Sequence, residues 1–158
     1  MTLFVLAIIA GQIPSSPVPP QMQQVSFLVG QWAGSVQGTS VRFDVEAGPG
    51  KRSLRFGLIL SGRNVRSFSD DGFLWWDDEP GAFRTLAMSS ISNDPRREIG
   101  RLVAGALVMV SEPFEVDGRS ERSRRTISKS GEGLKFEIAS REGEAWKPRV
   151  TALLTRRR

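Results

Sequence analysis

Alternation with a period of two residues most limits how this chain can fold. In "VRFDVEA", Val41, Phe43, Val45 and Ala47 alternate with Arg42, Asp44 and Glu46, which gives a strand one dry face and one wet face. "SLRFGLIL" repeats the pattern, with Leu54, Phe56, Leu58 and Leu60 sharing a face. Between the two runs, "GPGK" at Gly48 to Lys51 is turn chemistry.

The same grammar runs to the end of the chain. "SGRN" and "SDDG" bracket a strand around Val65 to Ser69, and "FLWWDDEPGAFRTLAMSSIS" reads as strand, turn, strand about its acidic corner. "IGRLVAGALVMVS" is apolar enough for a buried helix, but Gly100 and Gly105 oppose helix and Val103, Val108 and Val110 favour strand. "EVDGRSE" turns the chain, and "RSRRTISKS", "LKFEIASRE" and "WKPRVTALLT" form a closing meander. The expected fold is all-β: a single antiparallel up-and-down barrel of about nine or ten strands, since closure removes exposed edges and short hairpins need no crossing connection. Such a barrel is filled by side chains or holds one small ligand.

Ahead of the strands, residues 1–11 begin with the uncharged apolar run "MTLFVLAIIA". At this length it matches the core of a signal peptide rather than a membrane-spanning helix. Residues 12–24 read as a Pro-rich linker whose "QIPSSPVPPQ" excludes helix and sheet, and 25–158 as the barrel domain. The expectation is an exported protein, periplasmic or secreted. A buried or membrane-tethering N-terminal segment is the alternative.

Composition narrows the chemistry. The chain has no His, Cys or Tyr. It therefore lacks the usual general base near neutral pH, the usual zinc and haem ligands, and any thiolate chemistry. No cofactor or metal is expected, and catalysis would rest on Asp, Glu, Lys, Arg, Ser or Thr. The 22 basic residues exceed the 17 acidic ones, for a net charge of +5, but the two signs alternate along most of the chain, as on a solvated face.

"FLVGQWAGS" followed by an all-strand meander, then "DDEPGAFR", "RRTIS", "EGEAW" and a basic last strand, resembles the lipocalin-like barrels of the calycin group. Within that group it is most similar to nitrobindin-like barrels and their bacterial relatives. The resemblance covers roughly Val25 to Arg156, and the Gly-x-Trp step is its one recognisable motif. It implies that a Trp lies across the closed end of the barrel, with an Arg from near the last strand over its indole. Gly30 and Trp32 take the first part of this plug. Arg149 or Arg156 supplies the guanidinium, and Arg149 is the one assigned. Nitrobindin-like barrels hold haem through a His, which this chain lacks.

Three sets of residues are candidates for function. The inward apolar face, with Phe43, Phe56, Leu58, Trp75, Met88 and Phe136, would either fill a core or line a ligand pocket. Asp77, Asp78 and Glu79 in "WWDDEPG" read as a hairpin turn, because neighbours on a strand point to opposite faces and do not converge on a metal. The basic run "RSERSRR" has no interleaved aromatic for base stacking, so nucleic acid is not an expected partner. Arg124 or Arg125 is the residue there that would turn inward to anchor an anion.

The expected function is non-catalytic binding of a small apolar or amphipathic molecule. One alternative is a barrel hydrolase or isomerase built on a buried carboxylate and an Arg. The other is an envelope-associated module making weak contacts with anionic surfaces through its Arg-rich face.

Overall fold

The computed structural model describes residues 17–63 and 65–157; the proposed leader lies outside them. Ten strands close into one antiparallel barrel. In chain order they begin with β1 (Gly30–Val36), β2 (Thr39–Ala47), β3 (Ser53–Gly62), β4 (Phe68–Asp77), β5 (Ala82–Ser89), β6 (Arg96–Val103) and β7 (Ala106–Ser111). A separate hairpin follows, made of β8 (Phe114–Val116) and β9 (Arg119–Glu121), which pair only with each other. β10 (Ser123–Ser130), β11 (Gly133–Glu142) and β12 (Ala145–Arg156) complete the wall. Each barrel strand pairs with its neighbours in the meander, and β12 pairs with β1 to close it. This is the expected up-and-down architecture, and it is consistent with a calycin-like barrel.

Alternation sets what faces inward. On β2 and β3, Val41, Phe43, Val45, Leu54, Phe56, Leu58 and Leu60 are all buried, while Arg42, Glu46 and Arg55 are exposed. "IGRLVAGALVMVS" forms the β6–β7 hairpin, turning at Ala104 and Gly105, which have φ of 49° and 78°. "SDDG", by contrast, is not a turn. Asp70, Asp71 and Gly72 lie within β4, where a Cβ on Gly72 would stand 2.4 Å from the Leu86 carbonyl oxygen. The glycine serves a close approach of two strands rather than a reversal.

The register distinguishes the two ends of the barrel. One end holds the starts of β1 and β3, the β4–β5 corner and the end of β12. The end of the segment read as a linker, where helix was not expected, and the first residues of the barrel segment close this end: α1 (Pro20–Gln24) and a 3₁₀ turn at Ser26–Leu28 bury Met22, Val25 and Leu28. A helix starts there because Pro20 stands in its first turn, where the missing N–H has no helical partner to lose.

Trp32 completes the seal, 3 % exposed, with its indole N–H donating to the Leu28 carbonyl at 2.7 Å. The guanidinium over its ring belongs to Arg156, 5.0 Å from the centroid, with a nitrogen that also donates to the Val29 carbonyl at 2.9 Å. Arg149, assigned to this plug from the sequence, lies seven residues earlier, or about 23 Å up the strand, at the opposite end. There it is the extra residue of a β-bulge between Pro148 and Val150 and bonds Ser140 and Glu142. Gly30 has φ of 151°, and a Cβ on it would meet Arg156 at 3.1 Å and the Trp32 ring at 3.2 Å. The Gly-x-Trp step is thus a fitted part of the seal.

Candidate functional site

From the sealed end toward the other, the interior changes from apolar to ionic to open. In the middle Phe43 packs against both Phe56 and Phe136, with centroids 6.2 and 5.6 Å away. Beyond them lie four buried charges. Asp70 comes from β4, Arg96 and Glu98 from β6, and Arg125 from β10.

The four side chains neutralise one another. Arg125 reaches Asp70 at 3.2 Å and Glu98 at 3.3 Å. Arg96 pairs with Asp70 and lies 3.6 Å from Glu98. The Thr85 hydroxyl donates to the second Glu98 oxygen at 2.8 Å. Aromatic faces receive the guanidiniums, with Arg125 5.3 Å from the Phe56 centroid and Arg96 5.7 Å from that of Phe114. Asp70 Oδ1, Arg96 Nε and Ser89 Oγ have no hydrogen-bond partner among the described residues.

Protonation follows from burial set against pairing. Burial, joined by the like charge of Arg125, drives the Arg96 guanidinium below its ordinary value against the opposing pull of Glu98 and Asp70; a guanidinium nevertheless stays charged at neutral pH. Burial raises the Glu98 carboxyl, but Arg125, Arg96 and the Thr85 hydroxyl together outweigh it and hold Glu98 below its ordinary 4.5. A carboxyl depressed by folding stabilises the fold fully above its unfolded value, and that contribution is lost as pH falls through the lower folded value. Glu98→Gln should therefore flatten the acid limb of stability, measured as the guanidinium chloride midpoint between about pH 6 and about pH 3. An unchanged limb would remove Glu98 from that coupling.

Above the ionic layer the barrel opens into a cavity of about 800 Å³. Leu60, Phe68 and Val150 of the barrel and Phe114 and Val116 of the β8–β9 hairpin line it, and Arg96 reaches it from the buried layer. Arg66, Arg119, Arg141 and Arg149, with Glu121 and Glu142, also line it. Apolar side chains interleaved with seven charged ones, five of them Arg, suit a ligand that has both characters.

The residues singled out from the sequence fall into two groups. Phe43, Phe56, Leu58 and Phe136 do face inward, but they are buried in the packed middle at 0 to 4 % exposure, and none lines the mouth cavity. Trp75 and Met88 do not face inward. Met88 is 57 % exposed, and the inward residues of β4 and β5 are Asp70, Gly72 and Leu74, then Phe83, Thr85, Ala87 and Ser89. Arg125 does turn inward, where Asp70 and Glu98 occupy it. The "DDEPG" corner is a turn in which Asp78 accepts from the Trp76 indole at 2.7 Å and Asp77 pairs with Arg84 at 2.6 Å. No cluster of metal-ligating side chains occurs among the described residues.

Reading from the sequence missed Asp70, Arg96, Glu98 and the hairpin residues Phe114 and Val116. A signal for the first three was present: Asp70 shares its parity with Leu74, and Arg96 and Glu98 share theirs with Leu102. No protein-family model matches the chain, and no curated protein matches it.

Proposed function

We propose that the chain is an exported lipocalin-like barrel, related to the nitrobindin-like barrels, that binds one small apolar or amphipathic molecule without catalysis. The observation that carries this reading is the roughly 800 Å³ cavity at the end opposite the Trp32 seal, a volume within the range of about 300–1,000 Å³ typical of small-molecule sites. The packed aromatic middle stops the ligand from reaching the sealed end. The ligand therefore sits in the outer part of the barrel, against Phe68, Phe114 and Val116.

The test is uptake of 1-anilinonaphthalene-8-sulfonate, followed by its fluorescence. The wild type should bind it at one saturable site, and Val116→Arg, which places a long side chain across the cavity, should weaken binding at least about tenfold. A wild type that takes up no probe, or a variant that takes it up as well, would overturn the reading.

A barrel hydrolase is the second reading, favoured by the inward carboxylates Asp70 and Glu98 beside two arginines. Two features place it behind binding. Both carboxylates are ion-paired, and their own side chains are at most 2 % exposed; Glu98 is moreover shifted downward, whereas a general acid at neutral pH needs a raised value.

A further inference from the structure

The outer wall over β4, β5 and β6 is apolar where a solvated barrel wall would carry polar side chains. Phe73, Leu86, Met88 and Ile99 are 45 %, 41 %, 57 % and 42 % exposed. The register joins them into one surface: Phe73 lies opposite Leu86, Met88 follows Leu86 on the same face of β5, and Ile99 lies opposite Arg84, diagonal to Leu86. Half-buried Trp75, opposite Arg84 on the other side, extends it. With strands about 4.8 Å apart and same-face residues about 6.8 Å apart, the patch measures roughly 20 by 20 Å in plan.

The rest of the wall differs. β2 presents Arg42, Asp44 and Glu46, and on the far side β11 and β12 present Lys135 and Lys147, with the exposed Leu153 standing singly among Lys135, Thr151 and Thr155. The apolar surface is therefore one-sided, which suits a protein partner and not the continuous lipid-facing belt of a membrane barrel.

Charge identifies the partner. Asp71 borders the patch on the β4 side, directly opposite Met88. Its carboxylate is 62 % exposed and touches Arg55 at 3.2 Å. Arg97 borders it on the β6 side, directly opposite Leu86, and forms no ion pair among the described residues. An acid on one flank and a free cation on the other make the surface complementary to itself.

We propose that this wall is the interface between two copies of the chain, related by a two-fold axis that runs along β5. This axis sets Leu86 on Leu86 and Met88 on Met88 of the second copy, and it also brings together the two Arg84 side chains, each neutralised by its own Asp77 at 2.6 Å. It brings Ile99 against Trp75 of the second copy, and Arg97 beside its Asp71. The patch matches the dry centre of a standard interface, which buries about 800 Å² per partner inside a polar rim.

Sedimentation equilibrium on the full chain tests this. The wild type should dimerise at concentrations up to roughly 100 μM, and Leu86→Glu should be monomeric with an unchanged far-UV circular dichroism spectrum, since the side chain lies outside the core. Arg97→Asp and Asp71→Arg should each raise the dissociation constant at least about tenfold, and the double reversal should restore it. A monomeric wild type, a dimer that survives Leu86→Glu, or a double reversal that restores nothing would overturn the proposal.

Discussion

Asp70→Ala lowers the unfolding free energy by about 3–5 kcal/mol, the usual cost of removing one partner from a buried ion pair. The two guanidiniums it leaves behind share Glu98 alone, and Arg96 then lacks its closest partner. Urea denaturation measures the loss, with the slope of the transition reporting whether the folded state stays compact. The informative comparison is a variant in which Asp70, Arg96, Glu98 and Arg125 all become apolar residues of similar volume. Buried ion clusters often give neutral or stabilised proteins when replaced as a whole, so this variant should regain most of what Asp70→Ala loses. If Asp70→Ala costs less than about 1 kcal/mol, the ionic layer is more hydrated and weaker than its burial indicates.

Trp32→Ala should have an effect of the same size, about 3–5 kcal/mol, because it removes a large and fully buried ring. It also leaves the Leu28 carbonyl without its indole donor. Arg156→Ala should cost less, about 0.5–1 kcal/mol for the loss of an exposed cation over an aromatic face. Neither change should alter probe uptake in the variants that remain folded, since the cavity opens at the other end. Denaturation and probe titration of the same samples check both points. A Trp32→Ala protein of wild-type stability that has lost probe binding would transfer the Gly-x-Trp step from the seal to the site.

The barrel was legible because "VRFDVEA" and "SLRFGLIL" contrast a dry face with a wet one and short turns separate the runs. The same contrast fails on β4 and β5. There the outer wall is itself apolar, so Trp75 and Met88 are as apolar as the residues facing inward, and hydrophobicity does not decide which way they point. Asp70 was hidden twice. It is charged where apolar residues were expected, and it lies in "SDDG", whose glycine signalled a turn but serves strand contact.

Arg156 follows from closure only once the barrel strands are known to number ten, because in an even-stranded meander the end of the last strand meets the start of the first; an expectation of nine or ten left that open. The bulge at Arg149 did carry a local mark that the reading did not use: Pro148 beside it cannot donate to the ladder, and a proline inside a barrel strand is accommodated at such a bulge. The mouth cavity was invisible for another reason. Part of its apolar wall, Phe114 and Val116, comes from a hairpin that stands outside the barrel ladder, and no periodicity within β8 or β9 says where such a hairpin docks.

The even number of strands has a practical consequence. The start of β1 and the end of β12 lie side by side, with the Arg157 amide donating to the Gln31 carbonyl at 2.8 Å, on the rim farthest from the cavity. A surface or a fused reporter joined just after β12 therefore holds the molecule by its base, with the mouth turned toward solution, so immobilised protein can be assayed for small-molecule capture without the tether crossing the opening.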